Sequence, residues 1–125
     1  MAFGAGTAFT NKLRAIFVDR VRTGATYTSE PKYIAIGTGA TGAARTAAVG
    51  DTALSTEVES RATGTSSIVT TSVTGDTYQV VGTVSITANR AIDEAATFDT
   101  STGSSGNIGV SATMSVINLG NGDSI

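Results

Sequence analysis

Residues 77–89, TYQVVGTVSITAN, alternate in character almost without interruption. Tyr78, Val80, Val84, Ile86 and Ala88 fall on one side of the alternation, and Gln79, Thr83, Ser85, Thr87 and Asn89 on the other. A period of two is the signature of a strand with one covered and one wetted face. Residues 109–119, GVSATMSVINL, repeat the device, with Val110, Ala112, Met114 and Val116 expected inward and Ser111, Thr113 and Ser115 outward. Residues 66–73, SSIVTTSV, are a third such run, joined to Thr77 by the turn sequence TGD. Residues 32–36 form a further apolar strand, entered through the extended pair Glu30-Pro31. Gly82 interrupts the first run and predicts a bend or bulge there. Strands separated by short Gly/Ser loops, with no helices between them, predict a mainly β, mostly antiparallel fold, a β-sandwich or small jelly-roll-like barrel.

One segment breaks the pattern. Leu13, Ile16, Phe17 and Val21 recur at helical spacing, and Lys12, Arg14, Asp19 and Arg20 occupy the other faces. Thr10 or Asn11 can cap the start of this short amphipathic helix, and Gly24 can stop it. The chain of 125 residues therefore reads as an N-terminal arm and helix over residues 1–24 and a single β body over residues 25–125. Charge divides at the same place. Residues 1–22 hold four basic residues against one acid, a net +3, whereas the rest holds four against nine, a net −5. A basic head on an acidic body suits contact between copies or with an acidic partner. No Lys/Arg cluster interleaved with aromatics points to nucleic acid.

Cysteine and histidine are absent, so disulfides, thiolate or imidazole zinc sites and imidazole acid–base catalysis are excluded. No apolar run reaches the roughly 20 residues that span a bilayer. The opening MAFGAGTAFTNKLR lacks a basic region followed by an apolar stretch, so a product made without secretion is expected.

The most suggestive motif is Gly37-Thr38-Gly39-Ala40-Thr41-Gly42, which has G-x-G-x-x-G spacing after a strand, with Glu57 twenty positions on. A dinucleotide site needs the third glycine to open a helix within a βαβ unit. Gly50 and Asp51 interrupt any helix here, so the segment reads as a loop and no cofactor is expected. Asp93, Glu94 and Asp99 form a close acidic group that reads as turn residues between strands, with no metal site expected. Glu57, Glu59 and Arg61 read as local surface pairs worth a few tenths of a kcal/mol, by the rough scale for exposed ion pairs. Tyr27, Tyr33 and Tyr78, with Phe98, read as bulk for a small core, and alternatively as a sugar-binding face.

The order of the segments resembles a family of small bacteriophage virion proteins, described as tail-fibre-like or head-decoration proteins. The resemblance is carried by Tyr33 to Gly39 (YIAIGTG), Asp51 to Leu54 (DTAL), Glu57 and Arg61, then Ile92, Glu94, Ala95, Phe98 and Asp99, and finally Ile117, Leu119 and Gly122-Asp123-Ser124. Ala96-Thr97 stands where the family usually has Gly-Leu. The resemblance implies a structural role in the virus particle, with no catalytic, cofactor or metal residues. The expected placement is on the capsid surface, as a cement or decoration protein on the major capsid protein, assembled in the host cytoplasm as a dimeric or trimeric homo-oligomer. The helix residues Leu13, Ile16, Phe17, Arg20, Val21 and Arg22 are then the expected partner contacts. A tail, adaptor or fibre component is the alternative, as is a carbohydrate-binding β-sandwich module for host attachment. The small size and the lack of stalk-like repeats or heptads favour the capsid.

Overall fold

A computed structural model describes residues 7–21, 29–39, 46–103 and 105–125 of the chain. Its centre is a strand that the alternation did not announce. Strand β6 (Arg90–Phe98) lies between β7 (Ile108–Leu119) and β2 (Tyr33–Thr38), and the short β1 (Thr7–Phe9) and β3 (Thr56–Thr63) close the two sides. The resulting order is β1-β7-β6-β2-β3, antiparallel throughout. Strands β4 (Thr65–Val69) and β5 (Thr77–Val81) form a separate two-stranded antiparallel ribbon. The single helix among the described residues is α1 (Asn11–Val21). The expected mainly β, antiparallel fold with a short N-terminal helix is therefore the fold observed. The sheet stays open and does not close into a barrel.

Both faces of the sheet are covered, and this explains why β6 escaped the pattern. Ala35, Ala96, Phe98 and Ile108 pack with Leu54 on one face, with Tyr33 at their edge. Ile36, Ile92 and Ala95 pack with Val84 and Ile86 on the other, joined by Leu119 and Ile125. A strand covered on both sides reads as a continuous run instead of an alternation, and Ile92 through Asp99 are all buried. The reading of Asp93 and Glu94 as turn residues is corrected accordingly: they lie within the central strand.

The run at 77–89 is not one strand. It bends at Gly82, as the glycine predicted. β5 stays with the ribbon, whereas Val84 and Ile86 turn under the sheet, 1% and 2% exposed. There their backbones bond to the C-terminal residues: Val84 exchanges both backbone bonds with Ile125, and the Ile86 amide donates to the Asp123 carbonyl at 2.9 Å. Inward and outward residues also shift in β7. Ser111, expected outward, is fully buried and donates its hydroxyl to Asp51 Oδ2 at 2.6 Å, because the segment carrying Asp51 and Leu54 covers that side.

The N-terminal segment is tied to the body at three points. β1 pairs with β7, matching Phe9 to Val110. Thr10 is fully buried: its hydroxyl accepts from the Leu13 amide at 3.2 Å, capping α1 as expected, and lies 2.5 and 2.8 Å from the carbonyls of Ile108 and Gly109. Leu13 and Ile16 are then pressed inward, 3% and 4% exposed.

Candidate interaction surfaces

Of the expected helix contacts, the structure separates two groups. Leu13 and Ile16 are consumed in holding α1 to the body. Phe17 and Val21 point outward, 52% and 87% exposed, joined by Val18 at 67% and by Phe9 at 60% from β1. Arg20 is exposed as well and lines a shallow groove of about 310 Å³ with Ser29, Glu30, Lys32 and Tyr33. Arg22 lies outside the described residues. The inward stripe is narrower than the helical spacing suggested and rotated towards Asp19, which is buried. The anchored helix thus presents three large apolar side chains to solvent beside Arg20, and β1 a fourth.

The ribbon is the second exposed apolar surface, and sequence reading did not single it out. Ile68, Val73 and Val81 are 75%, 68% and 60% exposed, and Tyr78 stands opposite Ile68 in the register. The root is fixed by close approach. A side chain on Gly64 would collide with Val80 and come within 2.8 Å of the Lys32 carbonyl, and the Gly64 amide donates to that carbonyl at 2.9 Å. Ser66 donates to Glu30 Oε2 at 2.9 Å, and Lys32 pairs with the same carboxylate at 3.1 Å. That serine and lysine hold Glu30 below its ordinary value, while partial burial, with Glu30 second, pushes the Tyr78 hydroxyl up.

The tip is organised by Asp76. Its carboxylate accepts the backbone amides of Thr71, Ser72 and Val73 at 2.8 to 2.9 Å and the Thr77 hydroxyl at 3.0 Å. Hydrogen bonds to the charged form favour it, so the three amides hold Asp76 well below the usual carboxylate range. A depressed folded value means the stabilisation is complete above the unfolded value and lost only as pH falls through the folded one. The turn is therefore expected to keep its amide protection at Thr71, Ser72 and Val73 as pH falls through about 4, where a free aspartate protonates. Asp76→Asn should remove that protection at neutral pH. NMR-detected exchange of these three amides measures both.

The remaining chemistry-bearing residues do not converge. Glu94 is fully buried and accepts the Thr56 amide at 3.1 Å. Asp99 lies five residues further on, just past the end of β6 and about 17 Å away by strand rise, and accepts the backbone and side-chain nitrogens of Asn107 at 2.6 and 2.7 Å. No group of three potential ligand side chains is arranged to hold a metal among the described residues. Nor is any helix among them long and apolar enough to cross a membrane. The first glycine of the G-x-G-x-x-G run serves packing: a Cβ on Gly37 would lie 2.5 Å from Glu94 Oε1 and 2.8 Å from the Thr56 carbonyl. Gly42 lies outside the described residues. Tyr33 edges one core cluster, Phe98 is buried within it, and Tyr78 belongs to the ribbon, so these three do not form one face. Tyr27 lies outside the described residues.

Arg61 overturns the reading of Glu57, Glu59 and Arg61 as surface pairs. Its side chain is 1% exposed, lies 3.6 Å above the centre of the Phe98 ring, and donates through Nε and Nη2 to both oxygens of Glu57 at 2.7 and 2.9 Å. Its Nη1 donates to the carbonyls of Thr100 and Ser105 at 3.1 and 2.8 Å. Glu59 instead accepts from Thr87 at 2.6 Å and Arg90 at 2.8 Å, which together lower its pKa. Both acids are structural.

No family model, curated protein or solved structure matches this chain.

Proposed function

We propose that this chain is a structural virion protein of a tailed bacteriophage, a cement or decoration protein that binds the assembled major capsid lattice and stabilises it. The observation that carries the reading is the outward face of α1. Phe17, Val18 and Val21 remain exposed on α1, with Phe9 exposed on the adjoining β1, while the Thr10 cap and the buried Leu13 and Ile16 hold the helix to the sheet. Monomeric proteins rarely leave apolar groups clustered in this way, and such patches mark association surfaces. A partner meets a preformed surface here, and little ordering is required on binding. The resemblance of the segment order to that of small virion proteins supports the same reading. Cement then works by mass action: a protein that binds only the assembled lattice shifts the equilibrium against disassembly, and many copies multiply the effect.

The test is the double substitution Phe17→Ser/Val21→Ser, which touches only exposed side chains. Purified variant and natural protein are titrated onto particles stripped of the protein, and bound fractions are measured by co-sedimentation. The expected result is a loss of affinity of at least about tenfold, in line with removal of central apolar anchors, with an unchanged circular dichroism spectrum. Undiminished binding by the double variant would remove the α1 face from the account.

A further inference from the structure

We propose that the β4–β5 ribbon pairs edge to edge with the same ribbon of a second copy, the two β4 strands running antiparallel about a two-fold axis near Ser67. An open edge presents unpaired amides and carbonyls and is normally blunted by charge, proline, a bulge or brevity. On the five-stranded sheet, β1 is three residues long. At the other side β3 carries Glu57, Glu59 and Arg61, a bulge in its pairing with β2, and a left-handed residue at Glu59, with φ of 63°. Both sheet edges are therefore guarded.

The ribbon has none of these devices. Residues 65–81 contain no Lys, Arg, Glu or Pro, and their single acid is Asp76 at the tip. That carboxylate is taken up by the amides of its own turn. The β4–β5 register runs without a shift, unlike those of β2–β3 and β6–β7. Beyond their mutual pairing, neither β4 nor β5 has a strand neighbour among the described residues. A two-stranded ribbon is marginal in water, and three or more strands with an apolar face are needed for independent stability.

A second copy is the occupant that the charge pattern fits. The charges set against β4, Glu30 at the Ser66 hydroxyl and Lys32 on the same carboxylate, neutralise each other, so a strongly charged partner finds no net counter-charge and an identical strand meets no net repulsion. In the register centred on Ser67, Thr65 faces Val69 and Ser66 faces Ile68. The two copies of Ile68 become diagonal neighbours on the face that also carries Tyr78, within reach of side-chain contact. A five-residue edge is about 17 Å long and covers less than the roughly 800 Å² per partner of a stable dimer. The pair is therefore concentration-dependent in solution and reinforced where copies are held side by side. This pairing does not depend on where in a virion the chain sits.

Because the chain has no cysteine, one substitution reports on the axis. Directly opposed residues of antiparallel strands have Cα atoms about 4.5–5.5 Å apart, within disulfide range. Ser67→Cys is expected to form a covalent dimer under mild oxidation well ahead of Ser101→Cys, an exposed control away from the ribbon. Sedimentation equilibrium of the natural protein is expected to show a monomer–dimer equilibrium that Ile68→Lys weakens at least about tenfold, with the fold intact by circular dichroism. Equal cross-linking of the two cysteine variants, a monomer at every concentration, or indifference to Ile68→Lys would each overturn the pairing. Dimerisation through Ser67 by a protein missing from particles would sink the cement reading alone. Abundance on particles without ribbon cross-linking would sink the pairing alone.

Discussion

Replacing Arg61 by leucine is expected to destabilise the fold by about 3–5 kcal/mol, the range for breaking a buried ion pair from one side. The large effect comes from what is left behind. Glu57 would lose both donors of the guanidinium fork, and the carbonyls of Thr100 and Ser105 would lose theirs. Leucine can replace the contact with Phe98 but none of these bonds. Arg61→Lys keeps the charge without the planar fork, so it should recover only part of the loss. Combining Arg61→Leu with Glu57→Leu removes both charges and should be milder than the single change. Urea unfolding of the three variants measures this. A loss below about 1 kcal/mol for Arg61→Leu, typical of an exposed pair, would contradict the buried placement.

The second large effect concerns neighbouring residues with opposite surroundings. Ile86 is 2% exposed among Ile36, Val84 and Ile92, whereas Ser85 is exposed. Ile86→Asp removes apolar contacts and places a carboxylate where water cannot reach it, so the folded population should be lost. Ser85→Asp should change stability by no more than about 0.5 kcal/mol, as surface substitutions usually do. Soluble yield and thermal unfolding separate the two. Equal tolerance would mean that residues 83–86 do not turn under the sheet.

Residues 109–119 were legible as a strand because β7 is long, but not their facing: Ser111, expected outward, is fully buried, and Val116, expected inward, is 39% exposed. The bend at Gly82 was legible because a glycine breaks an otherwise regular strand. β6 was not, since two covering layers remove the polar face that alternation depends on, and Asp93-Glu94 disguised a central strand as a turn. β3 was hidden for a different reason. Glu57, Glu59 and Arg61 look like surface charges, yet from Ile34 to Ile36 the chain advances two residues while β3 advances four, from Ala62 back to Val58. That bulge shortens the path between Glu57 and Arg61, and the carbonyls of Thr100 and Ser105 then take up the guanidinium's remaining donor. In α1 the spacing identified the helix but not the width of its buried stripe. Phe17 and Leu13 are one turn apart, yet only Leu13 is covered. The ribbon's exposure was not legible at all: its alternation is that of a half-buried strand, and only the pairing shows that no further strand joins it among the described residues.

The most direct test of the cement reading is the copy number of this chain in purified particles of the phage that, on that reading, encodes it, counted by quantitative mass spectrometry against the major capsid protein. The account predicts a fixed stoichiometry with the capsid subunit, amounting to hundreds of copies per particle. A handful of copies would place the chain in the tail, and its absence from mature particles would contradict a virion role altogether.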